Sequence, residues 1–395
     1  MSGDAIRICE LVAKLYHVPR PKLVTVRPRR ANAYRTPFPA AWAGRPVPPS
    51  RLGRVRFTRS HRMTPFTVFY CDAAPADAWL NDDRLLALIR FGSPAAPPAD
   101  QRVCVIPLPE LGNGATAEVW LGARPAQTGV LDGVHYADSG DALFLHLHLD
   151  ESAPDALSPL TAAAYRRLFA AARARGYPHL LRIWNYFPAI NQETGGLERY
   201  RAFCVGRHSA LRAERAELET HLPAASAIGT RAPGLRLYAL AGRDPGVQIE
   251  NPRQVSAFHY PTQYGPQSPS FSRAILKHWG ERDCHLYISG TASVVGHASQ
   301  HLDLMAQLDE TLLNLAALIA QANRRTPTPP RPVLFRVYAR PDLDPTPVRE
   351  RIAQAFGPDI PLLFLRADIC RQDLLIEIEG LAVGAATRHR QDHAP

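Results

Sequence analysis

CHLYISG at residues 284–290 opens a segment that reads as strand, then helix, then strand. Leu304, Leu308, Leu312, Leu315 and Ile319 recur at helical spacing within residues 301–323, and VLFRVYAR follows at 333–340. A shorter helix, PTPVRERIAQAFG, and the strands PLLFLRADICR and LLIEIEG complete the series. The same order stands earlier in the chain. ALFLHLHLD at 142–150 precedes a helical pattern over 159–176, with Leu160, Ala163, Leu168, Phe169 and Ala172 on one stripe and Gly176 as the stop. HLLRIWNYF, a second helix over 198–221 and LRLYALAG at 235–242 follow. A series of strand, helix, strand, helix, strand that occurs twice predicts an α+β protein. It would have two similar domains, each a mixed sheet with helices packed on one face.

The expected divisions are a proline-rich, irregular extension over 1–50 and domains over 51–243 and 244–385, with a polar tail at 386–395. The extension carries one short helix signal, AIRICELVAKLY, and VRF at 55–57 reads as a strand.

The 395 residues carry a formal charge of +10, and arginine dominates it, since only Lys14, Lys22 and Lys277 are lysines. The densest basic runs, RPRRANAYR and RLGRVRFTRSHR, come with no helix-turn-helix, zinc-finger or RNP-like pattern, so no nucleic-acid partner is expected. A positive balance would instead attract a small anionic substrate. No run of 18 apolar residues predicts a membrane span, and the N-terminus lacks the layout of a secretory signal. The six cysteines are scattered without a CxxC pair, which fits a reducing cytoplasm and no metal site. Walker, HExxH and GxSxG patterns are absent, and GNGATA at 112–117 leads into a strand rather than a helix. His146 and His148 share one strand face as a conceivable metal pair, which ordinary alternation in a half-exposed strand explains equally well.

Chemistry concentrates in residues 251–297 and in the last strand. The first is two loops rich in Pro, Gly, Ser, Tyr and Arg joined by one apolar strand. Tyr260, Tyr264, Phe271 and Arg273 among hydroxyls suit a small, partly apolar anion, and SGTAS at 289–293 can bring backbone N–H groups to a cleft. In the last strand, alternation puts Glu377 and Glu379 on one face and Ile376 and Ile378 on the other. A carboxyl against an apolar wall is held neutral and can act as a general acid near neutral pH. The same alternation groups Arg336, Tyr338 and Arg340, and, in the first half, Arg182, Trp184 and Tyr186.

Longer motifs then become specific. NPRQVSAFHYPTQYGPQSPSFSRA, ISGTASVVGH and ICRQDLLIEIEG closely resemble the chorismatase family, as do RIWNYFPAIN and ERYRAFCVGRHSA in the first half. The resemblance covers about residues 100–385 and implies two fused Rid-like domains. It implies action on chorismate without metal or organic cofactor, and release of pyruvate. Glu377 stands where the family has its catalytic acid, and Cys370 stands seven residues earlier, as in the branch that makes 3-hydroxybenzoate and, in some members, 4-hydroxybenzoate. Gly290 is the candidate for the glycine that accompanies that cysteine. Arg273 and Arg340 are expected to anchor carboxylates, Tyr264 and Tyr338 to position the ring, and Thr291 to contact the substrate. The competing readings are a hydrolytic chorismatase giving a dihydroxycyclohexadiene carboxylate and a Rid-like imine deaminase. Fused halves leave a monomer or a trimer as the expected assembly.

Overall fold

The computed structural model describes residues 64–384 apart from 93–97, 113, 152, 154–155, 215–217, 281–282 and 341. The N-terminal extension with its helix signal, the strand expected at 55–57 and the C-terminal tail lie outside the described residues. Three large sheets and two small ribbons make up the described residues. Strands β1 (Phe66–Asp72), β2 (Leu85–Phe91), β3 (Val103–Ile106) and β4 (Thr116–Gly122) form the first, in the order β1-β4-β2-β3.

The second sheet comes from β5 (Gln127–Leu131), β6 (Val134–Asp138), β7 (Ala142–Leu149), β8 (His179–Pro188), β11 (Ala224–Thr230) and β12 (Leu235–Gly242). Helix α1 (Leu157–Ala174) links β7 to β8. A small ribbon, β9 (Glu193–Thr194) with β10 (Leu197–Glu198), leads into α2 (Arg199–Glu214) before β11. The third sheet uses β13 (Val247–Ile249), β14 (Ala274–His278), β15 (Cys284–Ala292), β18 (Arg331–Ala339), β19 (Leu362–Arg366) and β20 (Ile376–Gly384). The ribbon β16 (Val294–Val295) with β17 (Ala298–Ser299) and helix α3 (Leu304–Asn323) lie between β15 and β18, and α4 (Pro345–Phe356) lies between β18 and β19.

The spatial orders are β11-β8-β12-β7-β6-β5 and β19-β18-β20-β15-β14-β13. The two orders correspond strand for strand, so the repeat seen in the sequence is a repeat of topology. In each sheet one pair is parallel, β8 with β11 and β18 with β19, and these are the pairs that a helical crossover joins. The helices start and stop for local reasons. Asp303 accepts from the backbone N–H groups of Met305 and Ala306, Asp344 accepts from that of Thr346, and Gly176 at φ 78° follows the end of α1.

Each six-stranded sheet buries one face under its helices. Leu168, Phe169, Phe187 and Phe203 fill that layer in one half, and Leu312, Leu315, Phe335, Ile376 and Ile378 in the other. The opposite faces meet each other and the four-stranded sheet in a central core that includes Trp120, Phe144, Trp184, Tyr238, Tyr287 and Tyr338. Residues 66–122 therefore add a third wall that has no counterpart in the repeat. Strand β11, AASAIGT, is wholly buried and made of small residues apart from Ile228, which lets the second sheet approach the third closely. Its Ala224 bridges Ser272, and its Ala225 N–H donates to Ser289 Oγ at 2.9 Å. The helix expected over 198–221 is shorter, ending at Glu214, with one separate 3₁₀ turn at Leu218–Thr220. No helix among the described residues is long and apolar enough to cross a membrane.

Candidate active site

A cleft of about 600 Å³ opens where the β9–β10 ribbon and the start of α2 meet the aromatic loop before β14, β15, β20 and the loop before β20. Glu377 lies on its floor and is 4% exposed. The period-two alternation puts Ile376 and Ile378 into the helix-side core, so Glu377 and Glu379 face the junction of the sheets. Burial pushes the Glu377 carboxyl up to about 8, the anion of Glu379 adds to the rise, and Arg182 and Arg273 oppose it. The group is thus mostly protonated at neutral pH, as a general acid must be.

Glu379, two residues on, has the opposite surroundings. It accepts from Arg182 at 2.7 Å, Trp184 Nε1 at 2.8 Å, Ser226 Oγ at 2.5 Å and Tyr338 at 3.0 Å, and it pairs with Arg336 at 3.0 Å. Arg336 also pairs with Glu118 of the four-stranded sheet at 2.5 Å and donates to Tyr238 at 2.6 Å. Two arginines and two glutamates balance in this network at the centre of the three sheets.

Gly290 faces Glu377 directly. A Cβ there would lie 1.9 Å from Glu377 Oε1, so only glycine leaves the carboxyl its place. The glycine arrives by a register shift in β15 between Ile288 and Thr291, and its N–H donates to Ser226 Oγ at 2.9 Å. Cys370 lines the cleft from the loop before β20 and packs beside Ile369, Leu374, Ala292 and Val294. Burial, with the Glu377 carboxylate next in effect, pushes its thiol up to about 12, so it stays a neutral thiol rather than a thiolate nucleophile.

The cations of the cleft are Arg201, Arg273 and Arg371. Arg273 donates to Val255 O at 2.9 Å and Tyr260 Oη at 2.7 Å, and its buried Nε has no partner among the described residues. The guanidinium of Arg371 stacks over Tyr264 at 4.3 Å and reaches Ser299 Oγ at 3.2 Å. Tyr264 is steadied by His297, 3.0 Å from its hydroxyl. The aromatic loop is fastened at its start. Asn251 donates to Asn314 O, and Arg253 reaches Asn314 Oδ1 and Glu310 on α3.

Of the residues expected from the sequence, Glu377, Cys370, Tyr264, Arg273 and Gly290 line this one cleft. Three expected residues lie elsewhere. Tyr338 is wholly buried in the central network, bonded to Tyr186, Arg336 and Glu379. Thr291, just past the register shift, is buried and donates to Ser289 O at 2.9 Å. Arg340 stands one residue beyond β18, and its guanidinium is committed to Asp368, Asn191 and the carbonyls of Ile369, Arg371 and Leu374. It shapes the loop that carries Cys370 and Arg371 and leaves no fork for a carboxylate. Arg371 itself was not singled out from the sequence, although it follows Cys370 within the same motif. Among the described residues no cluster of His, Cys, Asp or Glu is arranged to hold a metal ion, and the five cysteines there are free.

A 3-hydroxybenzoate synthase of Streptomyces hygroscopicus is 38% identical over 281 residues, covering 68% of this chain and 81% of that protein. The chain belongs to the chorismatase family. A model described as chorismatase FkbO/Hyg5-like, N-terminal, matches residues 118–241. A chorismatase of Streptomyces rapamycinicus is also 38% identical, over 275 residues that cover 67% of this chain and 81% of its own. A crystal structure of a chorismatase aligns with 80% of this chain and 98% of its own at 33% identity and a TM-score of 0.71. The chorismatase fold thus accounts for four fifths of this chain.

Proposed function

We propose that the chain converts chorismate to 3-hydroxybenzoate and pyruvate, with Glu377 as the acid. The observation that carries this reading is the buried, unpaired carboxyl of Glu377, held neutral on the floor of a cleft whose cations suit a dicarboxylate. Among the described residues neither of its oxygens takes a protein hydrogen bond, so its proton is available to a bound molecule. Arg371, with Arg201 at the rim, anchors the carboxylates by two-pronged hydrogen bonds, and Arg273, whose Nη2 is held by Val255 and Tyr260, adds its charge and a single donor. Tyr260 and Tyr264 flank the ring.

Glu377 protonates the terminal carbon of the enolpyruvyl ether, and the resulting carboxylate stabilises the oxocarbenium ion beside it. The C4 hydroxyl oxygen of the ring then displaces the ether oxygen at C3 and gives up its proton. Pyruvate leaves as the ketone, and the ring rearranges to the aromatic product. No water is consumed, so the atoms of chorismate are fully divided between the two products. Cys370, as a neutral and apolar thiol, keeps water from the oxocarbenium ion and so favours the internal route over hydrolysis. The final glutamate strand would also serve an imine deaminase, but such an enzyme would not need the aromatic loop that closes this cleft.

Incubation of the purified chain with chorismate, followed by chromatography, tests the reading. Pyruvate with 3-hydroxybenzoate is expected. Pyruvate with a dihydroxycyclohexadiene carboxylate would move the chain to the hydrolytic branch, and no turnover would sink the proposal. Glu377→Gln should fold and lose about 10²–10⁴-fold in kcat, the usual contribution of a general acid.

A further inference from the structure

The internal repeat gives the Glu377 position a counterpart, and a second cavity lies there. Glu377 on β20 is flanked by Tyr338 on β18 and Ala292 on β15. Arg236 on β12 is flanked in the same way by Tyr186 on β8 and His148 on β7. The two tyrosines occupy matching places, and their hydroxyls meet at 3.0 Å in the central network. Arg236 thus stands in the second sheet where the acid stands in the third. Around it, at the junction with β3 of the four-stranded sheet, is a cavity of about 530 Å³, close in size to the Glu377 cleft.

We infer that this cavity is a binding site for a small carboxylate with a flat apolar body. Among the described residues no carboxylate lies within ion-pair distance of Arg236. One of its nitrogens donates to Pro233 O at 2.6 Å, and the side chain lines the cavity. The acid on the rim, Asp100, is already held by Arg102 at 2.7 Å. Two stacked imidazoles, His135 and His146, form one wall with ring centroids 4.8 Å apart. His146 Nε2 donates to Gln101 O at 2.8 Å, and the buried Nδ1 of His135 has no partner among the described residues. An arginine without a carboxylate partner, beside flat imidazole rings in the wall of a cavity, calls for a flat anion. Burial lowers the pKa of all three histidines, so Arg236 is the fixed cation and a monoanion balances it. Val103, Val105 and Leu147 supply apolar surface for the rest of the ligand. The inference does not depend on the reaction proposed above.

Titration calorimetry with sodium benzoate, on the full chain and on Arg236→Met and Arg371→Met, tests it. The native chain should bind benzoate at this site in the millimolar range or tighter, and Arg236→Met should weaken that event at least about tenfold. Arg371→Met, altered only in the Glu377 cleft, should keep it. No binding up to about 10 mM, or a native-like titration by Arg236→Met, overturns the inference, as does loss of all binding in Arg371→Met. Should Arg236→Met fail to fold, Arg236→Lys keeps the charge and removes the guanidinium fork. It must then weaken benzoate by about threefold or more, and unchanged binding in that variant is equally fatal.

Discussion

Glu377 and Glu379 share one face of β20 and are 4% and 3% exposed, yet their environments make them chemical opposites. Glu379 sits among two arginines, a serine, a tyrosine and an indole that together satisfy an anion. Glu377 faces the cleft, with Gly290 removing the side chain that would otherwise crowd it. The same residue type, two positions apart, is structural in one place and reactive in the other. What differs is the supply of donors, since a buried carboxylate is stable only where its hydrogen bonds are met.

Replacing each glutamate by glutamine should separate the two roles, and the largest effect is expected at Glu377. Glu377→Gln is the variant that loses about 10²–10⁴-fold in kcat while keeping its fold. Its stability should change in the other direction. A carboxyl whose folded pKa is raised gives stability that is fully present below the unfolded pKa, near 4.5, and lost as pH rises through about 8. Glutamine never ionises, so thermal melts should show the variant gaining on the native chain as pH rises across that window, by a few kcal/mol at most. Equal melting curves at pH 5 and pH 9 would show that Glu377 is not held neutral.

Glu379→Gln should do the reverse, lowering stability first and activity second. It leaves Arg182 without its buried counter-ion and Arg336 with only Glu118, a change of the kind that costs about 3–5 kcal/mol. Denaturant melts measure it, and a loss under about 1 kcal/mol would mean that the network relaxes around the amide.

The pH dependence of kcat/KM links the two residues. Activity that needs protonated Glu377 should hold through neutral pH and fall as pH rises past about 8. In whatever Glu379→Gln protein remains folded, the neighbouring negative charge is gone, so the alkaline limb should move to lower pH. A limb that stays in place would remove Glu379 from the tuning of the acid.

The sequence made the strand faces legible because alternation of period two is a local property. Ile376 and Ile378 against Glu377 and Glu379 sorted themselves as expected, and the doubled order of elements foretold the doubled sheet. It could not tell which part of a polar face meets the cleft and which meets the centre of three sheets. Tyr338 and Glu377, neighbours across β18 and β20, fall on either side of that line. Arg340 was read as part of the strand face, but the strand ends at Ala339, and past that point alternation no longer governs direction. Strand β11 went unread because AASAIGT has a single large apolar residue, Ile228, and no alternation. Its value is closeness, which only the partner sheet reveals. The third wall from residues 66–122 is likewise a matter of long-range packing. Arg371 gave no pattern of its own, and only its place beside Cys370 could have marked it.

The smallest expected effect is on Cys370, and it concerns the product rather than the rate. Valine is larger than cysteine by about one methyl group and adds no donor, so Cys370→Val should leave the fold and the affinity for chorismate close to native. The step at risk is the fate of the oxocarbenium ion. Internal displacement and attack by water compete for the same cation, and a barrier difference of about 1.4 kcal/mol alters their ratio tenfold. The thiol lies against Ala292, Val294 and Leu374, where a branched side chain must shift its neighbours to fit. A shift of that size is enough to admit a water molecule or to turn the C4 hydroxyl away from C3. Chromatography of the products should then show the dihydroxycyclohexadiene carboxylate rising against 3-hydroxybenzoate by about tenfold, with total pyruvate little changed. An unaltered ratio would mean that the branch is decided on the other side of the carboxyl, where Gly290 leaves the acid its place.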